Sequence, residues 1–150
     1  MDLPVRKPRL KHHSVDWDLY PEYFITICCK MRAMNQLCHS SVADIIRESA
    51  SWRQKKQWWS IELLVLMPDH IHAIVSPSTK RELLDIVSDW KRWMSFAAGI
   101  QFQAGFFDHR LRSALSAMAK WNYVSMNPVR AGLVSRPEDW PYRWVSKNLA

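Results

Sequence analysis

Residues 67–77, MPDHIHAIVSP, decide the fold, because they place two histidines inside a run with the composition of a buried β-strand. Side chains of a strand alternate between its two faces, so His70 and His72 share one face and Ile71 lies on the other. Two imidazoles at this spacing can share one divalent metal ion if a third ligand comes from elsewhere in the chain. A histidine pair without a metal is the commoner meaning of such a pattern, and both interpretations stay open here.

The composition is that of a folded, basic protein. The 150 residues are 48% hydrophobic and 12% aromatic, which excludes a disordered chain and allows a sizeable core. There are 21 lysines and arginines against 14 aspartates and glutamates, and the net charge of +7 favours a polyanionic partner such as nucleic acid, with simple solubility as the alternative.

No segment approaches the roughly 18 uncharged apolar residues of a membrane span. Cys28, Cys29 and Cys38 lack metal-type spacing, so we expect reduced thiols in a cytoplasmic protein.

The order of predicted elements favours an α+β fold. Residues 1–16 are basic and proline-punctuated without a regular period, so they are interpreted as an arm before a single domain over residues 17–150. The pattern then predicts a strand over 23–29, a helix over 40–57, a strand over 58–67, the histidine-bearing strand, a helix from a Thr79/Glu82 capping box to Gly99, a short strand or loop within 102–112, and a helix over 113–127. We expect an antiparallel sheet with the helices packed on one face.

The last predicted helix carries a second set of candidate residues. At about 100° per residue, its apolar stripe comprises Ala114, Ala117, Met118, Trp121 and Val124. Tyr123 lies on a different, polar face, and Asn127 follows one turn later, so a ligand bound by Asn127 would lie beside the phenol. A boundary tyrosine and an asparagine before Pro128 are also ordinary helix features, and this helix alone does not decide between the two interpretations.

Three motifs stand out when the chain is taken together: MPDHIH at 67–72, FFDHRLRS at 106–113 and YVSMNPVRAGLV at 123–134, followed by Asp139, Trp140 and Pro141. In combination they resemble the single-tyrosine transposases of the His-hydrophobic-His superfamily, and among them the REP-associated tyrosine transposases. With YFITICCK at 23–30 they extend over most of the chain, and NPVRAGLV is far more specific than the histidine pair.

The resemblance implies a ferredoxin-like domain that cuts and rejoins single-stranded DNA at palindromic, REP-like hairpins. By this resemblance, His70, His72 and Asn127 hold one Mg²⁺ or Mn²⁺, and Tyr123 is the nucleophile that forms a 5′-phosphotyrosine and releases a 3′-hydroxyl. A second 3′-hydroxyl then displaces the phenol and rejoins the strand without ATP. The resemblance also implies a cytoplasmic bacterial protein that associates with the nucleoid and acts as a monomer or homodimer.

Basic residues near these motifs are the candidates for DNA contact. They belong to the arm, to the FFDHRLRS stretch, and to the tyrosine-bearing helix with the residues after it. The candidates are Arg6, Lys7, Arg9, Lys11, Arg110, Arg112, Lys120 and Arg130. Arms contact grooves in other DNA-binding proteins, so we expect this one at the hairpin or its foot. Lys120 could hold the scissile phosphate, but a solvent-exposed lysine without such a role is the simpler interpretation.

Two other classes of protein are compatible with the sequence. One is a domesticated descendant that binds hairpin DNA and is catalytically silent, although the intact set of two histidines, tyrosine and asparagine argues against it. The other is a metal-dependent hydrolase in which the histidines activate water, and the lack of a further cluster of His, Asp or Glu ligands disfavours it. Metal-dependent covalent adducts with DNA would exclude the silent binding protein. Cleavage that persists after Tyr123 is replaced with phenylalanine would indicate the hydrolase.

Overall fold

The structure is a computed structural model that describes residues 21–149. The strands are β1 (Glu22–Cys28), β2 (Trp59–Met67), β3 (His70–Pro77), β4 (Phe107–Leu111) and β5 (Arg143–Val145). The helices are α1 (Ser40–Lys55), α2 (Leu83–Ala98), α3 (Ala114–Ser125) and α4 (Asn127–Arg130), with 3-10 turns at Pro137–Asp139 and Ser146–Leu149. The predicted arm, with Arg6, Lys7, Arg9 and Lys11, lies outside the described residues.

All five strands pair antiparallel in one sheet, in the order β4-β1-β3-β2-β5. The chain order β1-α1-β2-β3-α2-β4 with the sheet order 4-1-3-2 is the ferredoxin-like arrangement, and β5 extends it beyond β2. The predicted α+β class with a ferredoxin-like antiparallel sheet is therefore confirmed.

The histidine-bearing strand lies in the middle of this sheet. Pro68 and Asp69 turn the chain from β2 into β3, as predicted, and Met67 pairs with His70 across the turn. The other edge of β3 is hydrogen-bonded to β1 along its length. Because β3 has neighbours on both edges, its backbone gives its side chains a rigid support.

Helices cover both faces of the sheet, and each face has its own apolar core. On the face opposite the histidines, α1 and α2 pack over the sheet, as predicted. On the histidine face, α3 packs against Leu63, Val65 and Ile74 through three residues of its predicted stripe, Ala117, Trp121 and Val124. Ala114 of that stripe is exposed instead, and Met118 is partly buried. The expectation that all helices share one face therefore does not extend to α3. The physical reason is that residues 63–67 of β2 are buried at successive positions, which is the pattern of a strand covered on both sides.

Helix α2 ends where the sequence predicts, but it begins later than predicted. The expected capping box of Thr79 and Glu82 is wrong, since the helix begins at Leu83 and Glu82 is an N-cap whose side chain makes no capping hydrogen bond. At the other terminus Gly99 ends the helix as predicted, with φ +70°, a backbone conformation that favours glycine. Within residues 21–149, no helix has both the length and the apolar character needed to cross a bilayer.

Trp90 of α2 lies in the apolar core under α1 and α2, which is the larger of the two, and its replacement tests this packing. Its buried ring packs edge-on against Trp59 with centroids 5.3 Å apart, and its indole N–H donates to Ser49 Oγ at 2.8 Å. Trp90→Ala should lower the free energy of unfolding by about 3–5 kcal/mol, because it leaves a cavity and removes the hydrogen bond. Trp93→Ala, at a half-exposed position of the same helix, should cost about 1 kcal/mol or less. Urea titrations compare the two variants, and equal losses would contradict this packing.

Candidate active site

His70 and His72 lie side by side on one face of β3. Their ring centroids are 4.6 Å apart and the rings are nearly perpendicular, at 75°. The shared face is the one that strand alternation predicts. Both rings are partly buried, so neither is a freely moving surface side chain.

Each histidine is held through its Nδ1 atom. His72 Nδ1 is 3.0 Å from Thr26 Oγ1 on β1, and His70 Nδ1 is 2.8 Å from Asp69 Oδ1 in the preceding turn. In the tautomer that donates from Nδ1, each ring keeps an unprotonated Nε2. Partners of this kind fix the tautomer and orientation of metal-binding imidazoles.

Asp69 is itself held in place as a carboxylate. Arg32 Nε donates to Asp69 Oδ2 at 2.9 Å, and the backbone N–H of Ala33 donates to the same oxygen at 2.8 Å. Burial raises the pKa of Asp69, but the hydrogen bonds from Arg32, Ala33 and His70 outweigh it and hold that pKa well below its usual range. An ionised Asp69 is a strong acceptor for His70 Nδ1–H.

His72 is neutral at physiological pH. Burial is the main cause that lowers its pKa, and repulsion from His70, Arg130 and Lys120 adds to it, so the pKa falls to about 3. The unprotonated nitrogen of a neutral imidazole is the form that binds a metal ion.

A chain of ring contacts joins Tyr123 on α3 to this histidine pair. The Tyr123 side chain is 55% exposed, which places it off the core as predicted. Arg130 Cζ lies 3.9 Å and Lys120 Nζ 5.3 Å from its ring centroid. Lys120 Nζ also lies 4.9 Å from the ring of Phe24, which is 5.2 Å from the ring of His72. Lys120 and Phe24 therefore connect the ring of Tyr123 to the ring of His72 on the face of the sheet that α3 covers.

Asn127 begins α4, immediately after the helix that carries the tyrosine. Its side-chain oxygen, Oδ1, accepts a long hydrogen bond of 3.5 Å from Arg130 Nη2. Arg130 thus contacts both the side chain of Asn127 and the ring of Tyr123.

The donor set fits a divalent metal ion. Over residues 21–149 no group of three or more histidine, cysteine, aspartate or glutamate side chains is arranged so that it could hold a metal ion, so a three-ligand site there needs a side chain of another type. The amide oxygen of Asn127 is such a ligand. Two imidazole nitrogens and one amide oxygen suit an ion such as Mn²⁺ or Mg²⁺, with positions left for water or phosphate.

The remaining predicted DNA contacts are spread over the surface. Lys120 and Arg130 lie at the tyrosine. Arg110 on β4 pairs with Tyr23 of β1, which packs against the core under α1 and α2, so its side chain lies on the face opposite the histidines. Arg112 is exposed just beyond the end of β4. The structure thus brings two of these four described residues to the site, and the DNA-binding roles stay predictions.

Sequence reasoning missed the residues that orient the histidines. Asp69 carried a usable signal, because it directly precedes His70 in a turn. Thr26 carried none, since its contact with His72 depends on the register between β1 and β3. Phe24, which lies between His72 and Lys120, depends on the same register.

Among curated proteins, the chain is similar to the REP-associated tyrosine transposase of Escherichia coli (strain K12), with 23% identity over 133 residues that cover 85% of this chain and 78% of the relative. No family model matches the chain.

A solved structure supports the same fold. The structure of a REP-associated tyrosine transposase bound to a REP hairpin superposes with a TM-score of 0.73 and 23% sequence identity, covering 82% of this chain and 75% of that one. The resemblance to REP-associated tyrosine transposases that the motifs indicated is therefore confirmed.

Thr26 allows a test of the histidine pair as a metal site. Thr26→Val removes the oxygen that holds His72 Nδ1 while nearly preserving side-chain volume, so we expect Mn²⁺ affinity to fall by about 10- to 100-fold. Isothermal titration calorimetry measures the affinity. Thr79→Val, in the exposed turn before α2, is the matched control and should bind Mn²⁺ as the parent protein does. Unchanged affinity in Thr26→Val would contradict this role.

Proposed function

We propose that this protein is a metal-dependent tyrosine transposase that cuts and rejoins single-stranded DNA at REP-like hairpins. The observation that carries the proposal is the contact chain from Tyr123 through Lys120 and Phe24 to His72, which connects an exposed tyrosine, a cation and the histidine pair on one face of the sheet. The solved relative bound to a REP hairpin supports hairpin DNA as the substrate class. The net charge of +7 is consistent with a polyanionic ligand.

Tyr123 is suited to be the nucleophile because more than half of its side chain is exposed, so DNA can reach its hydroxyl. In the proposed step a bond forms between its oxygen and the scissile phosphorus, and the bond from phosphorus to the 3′ oxygen breaks. The phenol gives up a proton, and the leaving 3′ oxygen gains one. The products are a 5′-phosphotyrosine and a free 3′-hydroxyl.

The resulting link can be reversed. Phenols are more acidic than sugar hydroxyls, so a phosphotyrosine stays open to attack by a second 3′-hydroxyl, which rejoins the strand and restores Tyr123. One phosphodiester replaces another, so the reaction needs no ATP.

Lys120 and Arg130 would stabilise negative charge at the tyrosine. Both cations lie over its ring. Fixed positive groups near a developing phenolate and a crowded phosphate lower the barrier, because they need no rearrangement during the reaction. Arg130 also donates a long hydrogen bond to Asn127 Oδ1.

His70, His72 and Asn127 would hold the divalent ion, Mg²⁺ or Mn²⁺. When bound, such an ion polarises a phosphate and orients it for in-line attack. Asp69 and Thr26 keep the two rings in place, so the ligands are arranged before DNA arrives. With DNA as the proposed substrate, we also propose that the protein acts at the nucleoid in the bacterial cytoplasm.

Replacement of the tyrosine tests the chemistry. With labelled hairpin DNA carrying single-stranded flanks and Mn²⁺, the parent protein should give a slowly migrating covalent band on a denaturing gel, and Tyr123→Phe should give none. Tyr142→Phe is the matched control, because that tyrosine packs against Trp140 and should leave the band unchanged.

The outcomes separate the three classes of protein. Cleavage that persists in Tyr123→Phe would make water the nucleophile and favour the hydrolase. Hairpin binding on a native gel, with no covalent band from the parent protein, would favour a catalytically silent binding protein.

Removal of the metal tests the histidines. Chelation with EDTA should abolish the covalent band, and added Mn²⁺ should restore it in the parent protein but not in His72→Ala. Native gels should show hairpin binding with and without chelator, because most of that affinity comes from phosphate contacts. A covalent band of full intensity in EDTA would argue against a metal-dependent reaction.

A further inference from the structure

Phe107 lies in line with the histidine pair on the same face of the sheet. It pairs with Thr26, which in turn pairs with His72, and directly paired residues of antiparallel strands project from the same face. Neighbouring strands lie about 4.8 Å apart, so two strand spacings separate Phe107 from His72 by about 10 Å. Phe107 therefore marks the edge of the site on the β4 side.

The two ends of β4 differ in what covers them. Phe107, His109 and Leu111 share the histidine face, because alternate residues of a strand do. Leu111 is only 1% exposed, since it packs in the core beneath α3, whereas Phe107 is 67% exposed. Helix α3 thus closes one end of this face and leaves the Phe107 end open.

A single exposed apolar side chain is ordinary on a protein surface. What distinguishes Phe107 is its position, because the open side of the site is where a DNA strand must enter. Phe24, over whose ring Lys120 lies, is in the next row of the same face, so the face that carries Phe107 also carries a cation. Exposed aromatic rings on a basic surface are a feature of sites that bind unpaired nucleotides.

We propose that Phe107 stacks on an unpaired base of the DNA strand and positions that strand for attack by Tyr123. The inference rests on the proposed function and adds a specific contact to it. Every base has an aromatic face, so Phe107 would hold the strand without reading its sequence, while Lys120 and Arg130 meet its phosphates. It would act on single-stranded DNA and leave contacts with a paired hairpin stem unchanged.

The test measures binding in the Tyr123→Phe protein, so that no cleavage interferes. The probe is a DNA hairpin with an unpaired tail that carries the fluorescent base 2-aminopurine at one tail position at a time. Stacking on an aromatic ring quenches this base. We expect quenching at one position, and a loss of tail affinity of about 5- to 100-fold in Phe107→Ala and Phe107→Leu. Phe107→Trp should retain both signals, because it keeps an aromatic face.

Phe96→Ala is the matched control. Phe96 is also an exposed phenylalanine, at 81%, but it lies on α2, which covers the opposite face of the sheet. This variant should bind the tail as the Tyr123→Phe parent does. A hairpin without a tail should bind equally to all of these proteins.

The inference is overturned if Phe107→Ala keeps the tail affinity and the quenching, if Phe96→Ala loses as much, if the tailless hairpin loses equally, or if the tail does not bind at all. Failure of the proposed chemistry looks different. A protein that forms no covalent band but shows the Phe107-dependent quenching would keep the stacking contact and lose the transposase assignment.

Discussion

The site depends on the pairing of β3 with strands on both of its edges. The hydrogen bonds to β1 and β2 fix the backbone of His70 and His72, and the register with β1 brings Thr26 to the Nδ1 atom of His72. A shift of one residue in this register would turn the partner side chains to the other face of the sheet. The relative positions of the His70 and His72 imidazoles therefore depend on the pairing of β3 with both of its neighbouring strands.

The two faces of the sheet carry apolar cores of different size. The face under α1 and α2 holds the larger apolar core and contributes stability. The other face holds a smaller core, formed where the apolar residues of α3 pack on the sheet. Because Trp121 and Val124 are buried in that core, Tyr123 between them in sequence is left exposed on the helix that covers the histidine face.

The sequence predicted features that depend on local periodicity. The shared face of His70 and His72 follows from strand alternation, and the exposed position of Tyr123 follows from the helical stripe. The side of the sheet on which α3 packs could not be predicted, because it depends on burial of both faces of β2. The contact between Thr26 and His72 could not be predicted either, since it joins residues 46 positions apart. The face on which Arg110 lies, and the alignment of Phe107 with the site, depend equally on strand register.

The most direct test of the account is to locate the covalent link by mass spectrometry. After incubation with hairpin DNA and Mn²⁺, digestion with nuclease and trypsin should yield the peptide WNYVSMNPVR, residues 121–130, in which Tyr123 is the sole tyrosine. The account predicts that this peptide carries a nucleotide attached through a 5′-phosphate. Cleaved DNA with an unmodified peptide, or a nucleotide attached to another residue, would contradict it.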